Sequence, residues 1–81
     1  MNARDAFDLW RTLGRKGGIR TVAQYNRLIS NVSMGFVPVF RVISGPHKGE
    51  NVRIIKVKQY PVAIARFENG KNGEIKASDL Q

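Results

Sequence analysis

Apolar positions in the first third of the chain recur at helical spacing. Ala6, Leu9, Trp10 and Leu13 stand at i, i+3, i+4 and i+7, and Phe7 widens the stripe. Asn2 and Asp5 have the spacing of a capping box, with Asp5 where Glu or Gln is usual. Gly14 and the pair Gly17 and Gly18 are the natural stop for this helix. A second start signal follows, with Thr21 and Gln24 fitting a capping box. Val22, Tyr25, Leu28, Ile29 and Val32 then form one apolar face, and Gly35 is a C-terminal stop. The pattern predicts a helical hairpin over residues 3–34, joined by a basic, glycine-rich turn at 14–18.

The second half changes period. Residues 36–43, 52–57 and 62–67 read as strands, and 74–77 as a last short one. Residues 44–49 are a turn cluster in which Gly45 and Gly49 supply positive φ. Two Asn-Gly pairs in 68–73 mark a tight hairpin. Residues 78–80 suit a single 3₁₀ turn. Short strands at this spacing imply a small, strongly bent antiparallel barrel. The fold class is therefore α+β: a helical hairpin (1–35) followed by a barrel (36–81), together forming one unit. The strands are apolar on both faces, whereas a free-standing small barrel has a polar outer face. Either the hairpin, whose own stripe needs a partner, or a second subunit of a homo-oligomer must cover the other face.

Composition narrows the chemistry. The chain has 81 residues, 42% of them apolar and 25% charged, which is globular rather than disordered. It has no cysteine and one histidine, His47, so thiolate or clustered metal sites are excluded. The acids are scattered and no Ser–His–Asp grouping is visible, so neither catalysis nor a cofactor is expected. No apolar run is long enough to span a bilayer, no signal-peptide core follows the N-terminus, and a soluble cytoplasmic protein is expected.

Charge adds a partner. Fourteen Lys and Arg against six acids give +8, and residues 9–49 contain no acid at all. Such an excess points to a polyanion, nucleic acid or a nucleoprotein machine, beyond what solubility requires.

The stretch 40–57 carries an apolar pair Val42-Ile43, then Gly45-Pro46, then Lys48-Gly49, then an alternating strand. It resembles the KOW motif, which opens an SH3-like barrel in transcription elongation and antitermination factors and in several ribosomal proteins. Residues 66–70 and 74–80 resemble the end of such a barrel. The resemblance covers about residues 36–81 and leaves the hairpin unexplained. The family has a further glycine where Glu50-Asn51-Val52 stands, and Asn51 could supply the left-handed conformation there. KOW factors also usually carry a larger neighbouring domain, which this sequence lacks.

Three groups of candidate contacts emerge. In the barrel turn, the resemblance implies a phosphate or polymerase contact at Lys48, and His47 stands beside it; the plainer reading is two solvated side chains. On the strands are Arg41, Arg53, Lys56 and Lys58. Strict alternation puts Arg53 and Lys56 on opposite faces, and a bulge at Ile54-Ile55 would bring both outward as a basic strip. Edge protection by lysine is the alternative. In the hairpin turn, Arg15, Lys16 and Arg20 flank glycines that allow close approach to a phosphate backbone. Tyr60, before Pro61, is the best exposed candidate for stacking on a base, whereas Trp10, Phe7 and Tyr25 belong to the core.

The function these features favour is a small nucleic-acid-binding, transcription-associated regulator gripping phosphates with low sequence specificity. The alternative is a protein-binding module or inhibitor docking on an acidic surface of RNA polymerase or another large complex. Either suits the size of a phage or mobile-element regulator.

Overall fold

The computed structural model describes residues 2–31 and 37–81. Two helices precede four strands, so the chain is α+β. α1 spans Ala3–Leu13, capped by the Asn2 side chain, which accepts from the Asp5 N–H. Gly14, at φ +53°, ends it, and a 3₁₀ turn, Gly14–Lys16, carries the chain onward. α2 spans Gly18–Ser30. It starts before the predicted cap at Thr21, whose hydroxyl instead donates to the Gly18 carbonyl inside the first turn. Thr21 is buried over Gly17, where a Cβ would meet its side chain at 2.6 Å. Two glycines in succession thus let the chain turn and re-enter helix at once. Val32, Gly35 and Phe36, assigned from the sequence to the second helix, its stop and the first strand, lie outside the described residues.

β1 (Val39–Arg41), β2 (Asn51–Val57), β3 (Val62–Arg66) and β4 (Asn72–Lys76) form an antiparallel sheet in chain order. The sheet is open. Its ends approach through the C-terminal segment: a 3₁₀ turn, Ala77–Asp79, brings Leu80 into a bridge with Val42. β1 is shorter than predicted. Asn51 begins β2, and no residue other than glycine has positive φ among those described, so Asn51 does not replace the missing glycine in the way expected. Gly45 and Gly49 do adopt φ of +85° and +92°. Of the two Asn-Gly pairs, only the first forms the hairpin turn, with Gly70 at φ +84°. The second lies inside β4, where Gly73 leaves room for the Phe67 ring: a Cβ would sit 2.7 Å from it.

One face of the sheet is covered by the chain's own hairpin. Phe40, Val52, Ile54, Val57, Ala63 and Ala65 are buried against Phe7, Trp10, Tyr25 and Ile29 in a single core. Phe7 sits at its centre, 4.3 Å from Phe40 and 5.3 Å from Trp10 between ring centroids. The apolar stripes of two helices and one sheet face thereby satisfy one another.

Polar bonds fix where the layers meet. β1 covers only Asn51, Val52 and Arg53 of β2. Beyond them, hairpin side chains bond the β2 backbone. The Tyr25 hydroxyl donates to the Ile54 carbonyl at 2.6 Å. The Asn26 amide both accepts from the Val57 N–H (2.9 Å) and donates to the Val57 carbonyl (3.0 Å). Trp10 Nε1 donates to the Lys58 carbonyl at 3.2 Å. Among the described residues no buried side-chain polar atom lacks a partner, and no helix is long and apolar enough to cross a membrane.

Tyr25→Phe removes one of these bonds and leaves a buried carbonyl unpaired. It is expected to cost about 1–3 kcal/mol in urea unfolding, and Asn26→Ala at least as much. Burial pushes the Tyr25 phenol well above its ordinary value. A raised folded-state pKa means that the contribution is complete below the unfolded tyrosine value of about 10 and is lost as pH climbs past it. The wild type is therefore expected to lose stability above about pH 10 more steeply than Tyr25→Phe, the difference between the two isolating this group from the lysines.

Candidate nucleic-acid interface

The uncovered face of the sheet is where the strand cations collect, and a bulge decides which ones. Arg53 pairs with Arg66 and Ile54 with Ala65, but the next β2 partner of β3 is Lys56, opposite Ile64. Ile55 is the extra residue. Val52, Ile54 and Val57 all point into the core, although strict alternation would turn Val57 outward. The bulge resets the parity, so Arg53, Lys56 and Lys58 share the outer face. Of strict alternation and a bulge at Ile54-Ile55, the chain adopts the bulge.

Around these lie Arg41, in line with Asn51 on β1, and Arg66 and Lys76, which alternate with buried Ala65 and Ile75. Arg53 stands directly opposite Arg66 in the ladder. Like charges in facing positions destabilise a sheet. The two line one shallow depression of about 280 Å³ with exposed Val39, and Glu68 is the carboxylate at its margin. Glu68 accepts from the Asn51 N–H, and Arg66 Nε donates to Asn72. Arg53 also donates to the Val37 carbonyl at 3.3 Å, which holds its guanidinium against the sheet. At the other end of the face Lys58 forms an exposed ion pair with Glu74 at 3.3 Å, an interaction of small energy.

The turn at 44–49 adds a cation at the rim. Its Gly49 N–H donates to the Val42 carbonyl, and the Lys48 N–H to that of Gly45. Lys48 is exposed at the tip and lines a depression of about 300 Å³ with Arg41, Ile43 and Gln81. His47 turns the other way. Its ring stacks on Phe67 at 3.8 Å between centroids and 9° between planes, and Nδ1 lies 2.6 Å from Glu50 Oε2. The ring packs on the sheet end instead of standing beside Lys48.

Two further candidates sit elsewhere. Tyr60 is half-buried, its ring 5.5 Å from that of Trp10 and within 3.6–3.9 Å of the site a Gly14 Cβ would occupy. Its position in a turn suggested exposure, but the helical hairpin closes over that turn. Arg15, Lys16 and Arg20 are exposed on the hairpin, in the layer behind the sheet. The structure thus brings together Arg41, Lys48, Arg53, Lys56 and Lys58 and separates the hairpin set from them. Sequence reasoning passed over Arg66 and Lys76. Their alternation with Ala65, Phe67, Ile75 and Ala77 was the available signal, and strand register was needed to place them beside Arg53 and Lys58.

No protein-family profile matches the chain, and no curated protein or solved structure is significantly similar to it.

Gly73→Ala drives a methyl group into the Phe67 ring that supports His47. It is expected to lower stability by about 1–3 kcal/mol and to shift the amide resonances of residues 45–49 in an NMR spectrum. Gly70→Ala, strained only through its own φ, is expected to leave those amides in place.

Proposed function

We propose that this protein binds nucleic acid through the outer face of its sheet, as a transcription-associated regulator built on a KOW-like, SH3-type barrel variant. The observation that carries this reading is the cross-strand pair Arg53 and Arg66, flanked by Arg41, Lys48 and Lys56. The two Cα positions face each other across the ladder, and both side chains line one depression, Arg53 bonded to the Val37 carbonyl and Arg66 to Asn72. A phosphate in that depression would take charge-assisted contacts from both, since guanidiniums suit the geometry of phosphate oxygens. Half-buried Ile64 and exposed Val39 and Ile43 lie among these cations as aliphatic surface. With Tyr60 and His47 both engaged in packing, aromatic readout of bases is not part of the reading. The contact is to the backbone, so sequence specificity is low and salt dependence high.

The glycine-bounded turn at 44–49 and the return of Leu80 to Val42 support the barrel kinship. The chain packs a helical hairpin on its sheet.

The test is fluorescence anisotropy with labelled single-stranded DNA, duplex DNA and RNA at two salt concentrations. The double variant Arg53→Gln/Arg66→Gln is expected to weaken binding to the preferred ligand and to flatten the plot of log K against log salt by about 1.5. Its urea unfolding curve checks that the variant is folded, since Arg53 and Arg66 also bond the Val37 carbonyl and Asn72. Unchanged affinity and slope in a folded double variant would exclude this face.

A further inference from the structure

The two edges of the sheet differ. On the β1 edge the Ile43 N–H donates to the Asp79 carbonyl, the Gln81 N–H to the Arg41 carbonyl, and the Arg4 guanidinium to the Val39 carbonyl. β4 is the opposite edge. Its register with β3 fixes where its backbone points. The Phe67 N–H donates to the Lys71 carbonyl and the Ala77 N–H to the Pro61 carbonyl. Between these, Gly73 and Ile75 occupy the bonded positions opposite Ala65 and Ala63. The N–H and C=O groups of Asn72, Glu74 and Lys76 therefore point away from β3. Among the described residues no strand or turn bonds them. β4 has no proline, and its register with β3 is unbroken. It lacks the devices that most often close an edge to a further strand.

A groove of about 520 Å³ runs between β4 and the 44–49 turn, with Val42, Pro46 and Ile75 in its lining. Glu74 and Asp79 also line it, and Lys76 is the only lysine or arginine that does. On so basic a chain this is ground unsuited to a polyanion. An occupant must offer peptide groups at strand spacing and charges that answer Glu74 and Lys76. β4 itself meets both requirements. Glu74 and Lys76 are exposed and flank buried Ile75, so they share the outer face. When two β4 strands run antiparallel about a two-fold axis at Ile75, Glu74 of each copy stands directly opposite Lys76 of the other. Slipping the pair by two residues sets Glu74 against Glu74 or Lys76 against Lys76, which is destabilising. Slipping it by one sets outward backbone groups against inward ones. Charge thus selects a single register. We propose that the free edge of β4 pairs with β4 of a second copy in this register, giving a sheet continuous across both copies. Glu74 can keep its exposed contact with Lys58 and still offer an oxygen to the second copy. The arrangement is closed, since each copy uses the same edge. Its axis is perpendicular to the sheet, so the cation faces of the two copies lie side by side. The pairing itself does not depend on the nucleic-acid reading of that face. A few backbone hydrogen bonds and the facing Glu–Lys pairs make a small contact, so the dimer is expected to be weak and to build up with concentration.

The test uses the full chain, free of nucleic acid, at a salt concentration that screens the +8 charge of each copy. Sedimentation equilibrium is expected to show a monomer–dimer equilibrium. Amide exchange at Glu74 and Lys76 is expected to slow as concentration rises, while Gly73 and Ile75, already bonded to β3, stay unchanged. Glu74→Lys and Lys76→Glu are each expected to weaken the dimer at least about tenfold, because each sets like charges opposite one another. Both residues are exposed, so these substitutions leave the fold intact. Mixing the two single variants is expected to restore the dimer, since acids on one strand then face bases on the other. The double variant Glu74→Lys/Lys76→Glu is expected to dimerise as the wild type does. A monomer at millimolar concentration would overturn the proposal, as would a dimer that the single variants leave unchanged. Protection of the Glu74 and Lys76 amides in a monomer by an added peptide of alternating lysine and valine would reassign the edge to the strand of a different protein.

Discussion

The structure depends on how the far half of β2 is completed. Among the described residues β1 pairs only with Asn51, Val52 and Arg53, so the Ile54 and Val57 backbone has no strand partner on that side. Unpaired buried peptide groups cost several times what an ordinary hydrogen bond contributes. Tyr25 and Asn26 reach across from α2 and bond the Ile54 and Val57 backbone there, and Trp10 bonds the Lys58 carbonyl just past the strand. A helix cannot add to a sheet through its own backbone, because its N–H and C=O groups are used internally. Three polar-tipped side chains do so in its place. This ties the helical layer to the sheet at a defined register, where apolar contact by itself is non-directional.

The same region carries the bulge that sorts the cations. Ile55 is inserted between two paired positions, and the Ile54 carbonyl at its start is the one that accepts from Tyr25. Extra length in β2 is thus absorbed where the helix can bond the displaced backbone. The consequence is electrostatic. Without the reset, Lys56 and Lys58 would point toward Phe7 and Trp10 in a core where an unpaired ammonium is prohibitive. With it, all the β2 cations gather on the open face beside Arg41 and Arg66. Core packing, backbone bonding and surface charge are settled by one extra residue.

Two charged surfaces remain outside the core. The open sheet face gathers Arg41, Arg53, Lys56 and Arg66, and the outer side of α2 carries Arg20 and Arg27. Both are basic, and they lie on opposite layers of the molecule. Net charge could not distinguish them, since it sums over faces that point in opposite directions.

Much of this was legible in the residues. The helical stripe of Ala6, Phe7 and Trp10, the strand alternation, the positive φ at Gly45 and Gly49, and the basic excess follow from local geometry and composition, which a chain carries with it wherever it folds. Other features depend on which elements meet. Thr21 looked like a helix cap because its spacing fits one, but glycine at 17 and 18 let the helix begin earlier and bury it. Tyr60 looked exposed because turns usually are, until a second layer closed over it. Arg66 could not be matched with Arg53 before strand register existed, and the choice between bulge and alternation at Ile55 turned on whether Val57 had a core to enter. Periodicity and turn chemistry are properties of a few consecutive residues. Pairing, burial and the facing of like charges are properties of residues far apart in sequence, and only the packed tertiary structure decides them.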